Sequence, residues 1–220
     1  MLAPKSRPKA IITDVDATLT ERTTWYELTE RLGGSSFKHA DLFTKFLRNE
    51  LSFSQIKKEL FKIWRTNGPV HKDQLVEIFR DIPLRGEAYS VINSLKEAGY
   101  TLCLISGSIE MFIEEIARKF EIEHYFGNSK FCFDEKGYWV DFEYTKDEGH
   151  LKLEQFNDFL KKTGFKPEEC VAIGDGDNDL ELFSIVPGIV VNSKSEHLKE
   201  LSWGEVKYLP RVLQLLETIE

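Results

Sequence analysis

The sequence has little of what marks several large classes of protein. Its 220 residues include three cysteines, Cys103, Cys132 and Cys170, which lie far apart and form no CxxC pair. This odd number and wide spacing predict neither a zinc site nor a disulfide framework, and they favour reduced thiols. No apolar run approaches the roughly 20 residues that a membrane-spanning helix needs. The segment Met1–Lys9 is basic but leads directly into a strand-like run rather than a signal-peptide core, so we expect a cytoplasmic protein.

An excess of positive charge is also missing. The formal net charge is −8 and the sequence pI is about 5.3. Nucleic acid and anionic membranes require a basic face, so we expect neither as a partner. A hydrophobic fraction of 41% and a charged fraction of 30% are typical of a soluble globular protein. The length suits one medium-sized domain with a smaller insertion, as a monomer or a homodimer.

The chain changes character twice. The apolar run Ala10–Val15 predicts a buried strand, and in the following residues 21–82 apolar side chains recur at helical spacing. Gly33-Gly34 and Asn67-Gly68-Pro69 divide this second stretch into three or four helices. We interpret it as a small helical cap inserted into a larger domain formed by residues 1–20 and 83–220.

Strands and helices alternate after the insertion. The predicted elements are a helix over 87–98, a strand over 101–105, a helix over 109–120 capped by Ser108, a hairpin within 130–144, a helix over 151–163, strands over 170–173 and 188–191, and a terminal helix over 211–220. This alternation predicts an α/β fold with a doubly wound, mainly parallel, Rossmann-like sheet.

Four polar clusters fall at or near the carboxyl ends of predicted strands. They are Asp14, Asp16 and Thr18 after the first strand, Ser106-Gly107 after the second, Lys152 at a helix start, and the segment 175–179 after a later strand. Because ligands bind at that edge of an open α/β sheet, we expect these clusters to meet in one crevice.

Such a crevice suits phosphoryl transfer from a monoester, which needs an in-line nucleophile, neutralised oxygens and a proton for the leaving alkoxide. Mg²⁺ prefers oxygen ligands and overcomes the repulsion between carboxylate and phosphate. Asp14 and Asp175 can supply carboxylates, and Asp179 can bind the metal or orient its waters. Asp16 can act as the general acid, and Lys152 can offset the negative charge.

The four motifs also resemble a known family. The runs DVDATLT at 14–20, SG at 106–107 and GDGDND at 174–179, together with Lys152, are similar to the ordered motifs of the haloacid dehalogenase (HAD) superfamily. The helical insertion after the first motif resembles that of the phosphoserine phosphatase group. By this resemblance Asp14 is the nucleophile that forms an aspartyl-phosphate. Asp16 is the acid/base, and its backbone carbonyl is a metal ligand.

The resemblance also implies roles for the remaining motif residues. Lys152 fixes the nucleophile, and a magnesium site involves Asp14, Asp16, Asp175 and Asp179. The phosphate-binding residues implied are Thr18, Ser106, Gly107 and Asn178. The helical insertion would be a cap that closes over a small phosphorylated substrate and excludes water.

The sequence departs from the phosphoserine-specific pattern in the cap. Thr23 stands where those enzymes carry a glutamate, and Leu60 stands where they carry an arginine for the substrate carboxylate. Lys57, Lys58 and Arg65 are nearby substitutes for that arginine. We therefore do not predict phosphoserine as the substrate, because losing one buried polar partner strongly weakens discrimination.

The cap is rich in aromatic residues, which are Trp25, Tyr26, Phe43, Phe46, Phe53, Phe61 and Trp64. At helical spacing most of them are expected to form core. A minority could contact an apolar or quaternary-ammonium leaving group. His150 lies near Lys152 in the sequence, and a surface position is favoured over a place in the site.

Three other functions fit parts of the pattern. The same aspartyl-phosphate could be transferred to a small alcohol instead of water. A phospho-accepting regulatory domain also gathers acidic residues, a hydroxyl and a lysine around an aspartate, but Asp16 and the cap favour turnover. A binding module without catalysis is disfavoured because every required catalytic group is present.

Overall fold

The computed structural model describes residues 2–219, and a six-stranded sheet lies at its centre. The strands of the described chain are β1 (Ala10–Thr13), β2 (Thr101–Ile105), β3 (His124–Phe126), β4 (Lys130–Phe133), β5 (Trp139–Glu143), β6 (Cys170–Gly174), β7 (Gly188–Val191) and β8 (Gly204–Val206). The sheet has the order β3-β2-β1-β6-β7-β8, and every neighbouring pair is parallel.

Helices cover both faces of this sheet. The α-helices of the described chain are α1 (Thr24–Arg31), α2 (Ser36–Leu47), α3 (Phe53–Trp64), α4 (Lys72–Asp81), α5 (Ala88–Glu97), α6 (Glu110–Phe120), α7 (Glu148–Thr163), α8 (Leu180–Phe183), α9 (Glu196–Leu201) and α10 (Arg211–Glu217). Alternate residues of a strand point to opposite faces. Ile11 accordingly packs in one core cluster with α5, α6 and α10, whereas Ile12 packs in another with α7, α8 and α9. The predicted doubly wound parallel fold is confirmed.

The inserted stretch forms four helices whose sequences explain their limits. In α3, Ser52 and Gln55 form a capping box at the first turn, with backbone-to-side-chain distances of 3.3 and 2.8 Å. Its inner face carries Ile56, Leu60 and Trp64 at four-residue spacing, and all three are buried. Propensity, capping and burial therefore favour the same helix.

The predicted hairpin forms a separate two-stranded sheet, β4-β5, that packs against these helices. The ring of Trp139 stacks on that of Trp64 at a centroid distance of 4.7 Å. Two backbone hydrogen bonds add to the contact. The amide of Trp139 donates to the carbonyl of Val70 (2.8 Å), and the amide of Lys72 donates to the carbonyl of Gly137 (2.9 Å). The hairpin thus contributes to the aromatic core of the cap. The division into residues 1–20 with 83–220 and 21–82 stays a prediction.

Some predicted elements differ from the observed ones. Strands β2 and β7 match their predicted ranges, but the short elements β3, β8, α8 and α9 were not predicted. The predicted cap at Ser108 is wrong: Ile109 precedes α6 without a side-chain cap, and the carbonyl of Ser108 instead accepts bonds from the amides of Asn128 and Ser129. Helix α10 ends at Glu217, and residues 1 and 220 of the predicted terminal segments lie outside the described residues.

The three cysteines are free thiols in the described structure. No helix of residues 2–219 is both long and apolar enough to cross a membrane.

Candidate active site

The first motif forms a tight loop at the carboxyl end of β1. The backbone amide of Asp14 donates to the carbonyl of Ile173 on the adjacent strand (2.9 Å), so its position is fixed by the sheet. Its buried carboxylate accepts a bond from the amide of Val15 at Oδ1 (2.7 Å). Because β1 lies between β2 and β6, Asp14 sits where the strand order reverses, which is the usual ligand position in such sheets.

Arg85 holds the far side of this loop and was not predicted. Its guanidinium donates to the carbonyl oxygens of Ala17 (2.8 Å) and Thr18 (3.1 Å). Ala17 has a φ of 59°, in the left-handed region that residues with a Cβ seldom adopt. Arg85 lies just after the cap, and no sequence motif marks it. Its role arises only because the chain leaves the cap next to the loop that carries Ala17 and Thr18.

Lys152 is the buried cation of the site. It projects from the second turn of α7, and its side chain is 1% exposed. Its Nζ lies 2.6 Å from Oδ1 of Asp179, 3.2 Å from Oδ2 of Asp14 and 3.3 Å from Oδ1 of Asn178. Burial alone would lower the pKa of Lys152, but the charges of Asp14 and Asp179 outweigh it and raise that pKa.

Three carboxylates gather around this lysine. Asp14, Asp175 and Asp179 each place an oxygen within 4.8 Å of the others. Thr18 donates to Oδ1 of Asp175 (3.1 Å), and the backbone amides of Asp175 and Gly176 donate to Oδ2 of Asp179 (3.1 and 3.3 Å). Burial, reinforced by Asp14, raises the pKa of Asp175 to about 7 and that of Asp179 to about 6.

This donor set fits a hard divalent cation. Three buried or half-buried carboxylates face one ammonium group, so negative charge is in excess in a poorly solvated place. Oxygen ligands alone, on a rigid strand end, suit Mg²⁺. Asp179 already accepts bonds at both oxygens, whereas Asp14 and Asp175 also line the adjacent cavity.

Asp16 points away from this cluster and towards the cap. Its carboxylate accepts bonds from the backbone amide of Thr24 (3.1 Å) and from the Thr24 hydroxyl, at the start of α1. Burial raises the pKa of Asp16 to about 7, Thr24 opposes the rise, and the charge of Asp14 adds to it. A carboxyl group with such a pKa can give or take a proton near neutrality. Thr24 was not predicted, and only its place at the start of the cap marks it.

Gly107 lies against a polar network that sequence reasoning missed. A Cβ at this position would lie 2.5 Å from Oε2 of Glu148. Glu148 accepts bonds from Nδ2 of Asn178 (2.7 Å) and from the hydroxyl of Tyr144 (2.9 Å). Glu148 stands four residues before Lys152 on α7, so it shares a helix face with a predicted site residue, a spacing that could have revealed it.

A cavity of about 390 Å³ joins these groups. The predicted residues that line it are Asp14, Asp16, Gly107, Asp175 and Asn178. The other predicted site residues are buried, namely Thr18, Ser106, Lys152 and Asp179. His150 is exposed and lies 3.5 Å from Glu154 and 3.7 Å from Glu181, as the surface interpretation expected.

Comparison with known proteins identifies the family. The family model for haloacid dehalogenase-like hydrolases matches residues 8–184, so the chain belongs to that family. Within it, the chain is a phosphatase of the phosphoserine phosphatase-like group.

Its relatives include two archaeal phosphoserine phosphatases. The protein from Archaeoglobus fulgidus is 28% identical over 205 residues, which span 90% of this chain but only 56% of that protein. The protein from Methanocaldococcus jannaschii is 27% identical over 81% of this chain and 82% of its own. A solved phosphoserine phosphatase structure with an analogue of the phospho-aspartyl intermediate has a TM-score of 0.73 and 22% identity, covering 95% of this chain and 99% of that one. This last likeness shows the shared fold.

Proposed function

We propose that the protein is a Mg²⁺-dependent phosphomonoester hydrolase that forms an aspartyl-phosphate on Asp14 and acts on a small phosphorylated metabolite. The observation that carries the proposal is the setting of Asp14. Its carboxylate lies 3.2 Å from the buried Lys152 and beside Asp175, and it lines the same cavity as Asp16. The phosphatase relatives, which by name act on a small phosphorylated amino acid, support it.

The reaction follows from these positions. A carboxylate oxygen of Asp14 attacks phosphorus, and the bond from phosphorus to the ester oxygen breaks. The departing oxygen takes the proton of Asp16, whose raised pKa keeps part of it protonated near neutrality. Asp16, now a carboxylate, then removes a proton from water, which attacks phosphorus and releases phosphate from Asp14.

The surrounding residues hold charge during both steps. Asp14, Asp175 and the backbone carbonyl of Asp16 would hold Mg²⁺, with Asp179 as a further ligand or a support. When bound, Mg²⁺ neutralises charge on the phosphoryl oxygens. Lys152 keeps Asp14 oriented, and the phosphate oxygens would be bound around Thr18, Ser106, Gly107 and Asn178.

The test is phosphate release from a panel of phosphomonoesters, with Mg²⁺ and with EDTA. We expect Asp14→Asn to lower turnover by at least roughly a thousandfold, because the nucleophile is gone. The matched control is Asp158→Asn, which changes an exposed aspartate on α7 and should leave turnover unchanged. Acid-quenched wild-type enzyme should carry one phosphoryl group on Asp14, detectable by mass spectrometry.

The variant Asp16→Asn tests the general acid independently of the nucleophile Asp14. It should lower kcat/KM for alkyl esters by roughly 10²–10⁴-fold but lower kcat/KM for 4-nitrophenyl phosphate less. That leaving group needs no proton, and kcat/KM does not include the later hydrolysis of the aspartyl-phosphate. Equal rates for wild type and Asp14→Asn, or no effect of EDTA, would contradict the proposal. Transfer to added small alcohols, measured as new phosphate esters, would instead favour the phosphotransferase alternative.

A further inference from the structure

The cap contains a second cavity, of about 50 Å³, next to the catalytic one. Both cavities are lined by the same five residues, which are Thr23, Trp25, Tyr26, Phe43 and Tyr144. A molecule bound with its phosphate at Asp14 could therefore extend from the first cavity into the second. One water-sized group needs roughly 10–15 Å³ on a comparable scale, so the second cavity has room for a few carbon atoms.

The remaining wall of this second cavity is apolar except for His39. It comprises His39, Phe46, Phe53, Ile56, Leu60 and Phe142. None of the described lining residues is an aspartate, glutamate, lysine or arginine. Leu60 is 3% exposed and forms part of this wall. A carboxylate or ammonium group placed here would lose its hydration without gaining a charged partner.

His39 does not supply a charge. It is 3% exposed, and burial lowers its pKa to about 4, so it is neutral under physiological conditions. Its Nδ1 lies 2.7 Å from the hydroxyl of Thr29, which in turn donates to the carbonyl of Trp25 (2.8 Å). The neutral ring is thus held by Thr29, with the donor and acceptor of this pair set by its tautomer.

Lys57, the first of the basic residues near Leu60, lies outside the cavity. Its ammonium group pairs with Asp141 and lies 5.0 and 5.4 Å from the ring centroids of Phe53 and Phe142. A positive charge therefore already occupies a position beside two of the cavity's rings. Lys57 already takes the cation–π position on these two rings, and a cationic leaving group would find no carboxylate in the wall.

Arg65 and Lys58 are also unavailable to a substrate carboxylate in this cavity. The Arg65 guanidinium donates to the carbonyl of Trp139 and lies 4.4 Å from the ring centroid of Phe61. Lys58 is exposed. Neither residue lines the cavity, so neither can pair with a carboxylate bound there.

We propose that this second cavity binds the alcohol part of the substrate, and that the substrate is a phosphomonoester with a small, uncharged, apolar leaving group. The inference rests on the proposed phosphatase function and adds the substrate class. Phosphoserine is disfavoured because both its charged groups would be unpaired, and a quaternary ammonium ester is disfavoured by Lys57.

Binding is tested separately from turnover. Methyl, ethyl, propyl and butyl phosphonates, which cannot be hydrolysed, are titrated into the Asp14→Asn protein while tryptophan fluorescence is followed, because Trp25 lines both cavities. We expect Kd to fall by roughly tenfold per added methylene until the cavity is full. In the wild type, kcat/KM for the corresponding phosphate esters should rise in parallel. The kcat/KM values for the longer alkyl esters should exceed those for O-phosphoserine and phosphocholine.

Two variants place the effect in the cavity. Leu60→Phe fills it, so the gain in affinity and in kcat/KM from methyl to butyl should disappear. Leu47→Phe is the matched control, because it makes the same change at an exposed cap position outside the cavity. Ile56→Ala enlarges the cavity and should move the optimum to a longer chain, which keeps the test open if Leu60→Phe does not fold.

The outcomes separate the two proposals. A rise with chain length that Leu60→Phe removes supports the substrate class. Hydrolysis without any chain-length preference, or with O-phosphoserine or phosphocholine as the best substrate, overturns the substrate class and leaves the phosphatase function intact. Absence of Mg²⁺-dependent hydrolysis of every ester overturns the proposed function and, with it, this inference.

Discussion

Removing the ammonium group of Lys152 is the sharpest test of how the charges of the site are balanced. The variant is Lys152→Met, which keeps most of the apolar stem and deletes only the charge. Its side chain is 1% exposed, and those of its partners Asp14 and Asp179 are 5% and 3% exposed. The variant therefore leaves two buried carboxylates without their cation.

The magnitude follows from the distances. At an effective dielectric constant of about 20, charges at these separations of 3.2 and 2.6 Å attract by about 5 and 6 kcal/mol. Most of this gross energy offsets the desolvation of the three charged groups. Deleting one partner of a buried pair strands the other, so we expect the free energy of unfolding to fall by about 3–5 kcal/mol.

The assay is urea unfolding in EDTA at neutral pH, arranged as a double-mutant cycle with Asp179→Asn. The double variant removes both charges of the Lys152–Asp179 pair. It should therefore lower the free energy of unfolding by less than the sum of the losses in the two single variants. Lys161→Met is the matched control, because Lys161 pairs with Asp158 on the surface with 75% of its side chain exposed. It should change the free energy of unfolding by no more than about 0.5 kcal/mol.

Two results would refute this reasoning. If Lys152→Met lowers the free energy of unfolding by no more than Lys161→Met does, the buried ammonium group does not balance the charges of the carboxylates. If the double variant costs as much as both single variants together, Lys152 and Asp179 are not energetically coupled at their distance of 2.6 Å.

Two further predictions test the cap and the loop that contains Gly107. The depressed pKa of His39 means that the unfolded chain binds its proton near pH 6.5 and the folded chain only near pH 4. The free energy of unfolding should therefore decline by about 3 kcal/mol as the pH falls through this window. In urea unfolding, His39→Gln should not show this part of the decline. Identical pH profiles for wild type and His39→Gln would contradict the prediction. Gly107→Ala should displace Glu148, lower the free energy of unfolding by about 1–2 kcal/mol and reduce kcat/KM. Gly86→Ala is the control in the same assays, because a Cβ there meets nothing within 4 Å, and equal effects of the two variants would show that the contact with Glu148 is unimportant.

Local sequence patterns predicted the main elements well because their causes are local. The apolar runs of β2 and β7 and the four-residue spacing of Ile56, Leu60 and Trp64 are visible without knowing the fold. Strands β3 and β8 were missed because each has only three residues, and pairing with a distant neighbour rather than local propensity makes them strands. Ser108 was misinterpreted for a similar reason, since its carbonyl is engaged by a distant segment.

The candidate site divides in the same way. Asp14, Asp16 and Asp175 could be predicted because polar residues after apolar strands must meet at one edge of a parallel sheet. Lys152 was predicted from its place at a helix start before the last motif. No local sequence pattern marks three further residues of the site as clearly, namely Arg85, Thr24 and Glu148. Each acts through a bond to a residue that becomes its neighbour only when the cap and α7 fold against the sheet.

The sequence by itself determined the α/β architecture, the helical insertion and the set of acidic groups at the strand ends, because periodicity and residue order are properties of the chain. Only the tertiary structure decided which aromatic residues are core and which line the cavities. Trp64 is 1% exposed and stacks against the hairpin, whereas Trp25 and Phe43 line both cavities. All three occur at similar spacing on amphipathic helices, so their roles depend on how those helices pack against a hairpin far away in the chain.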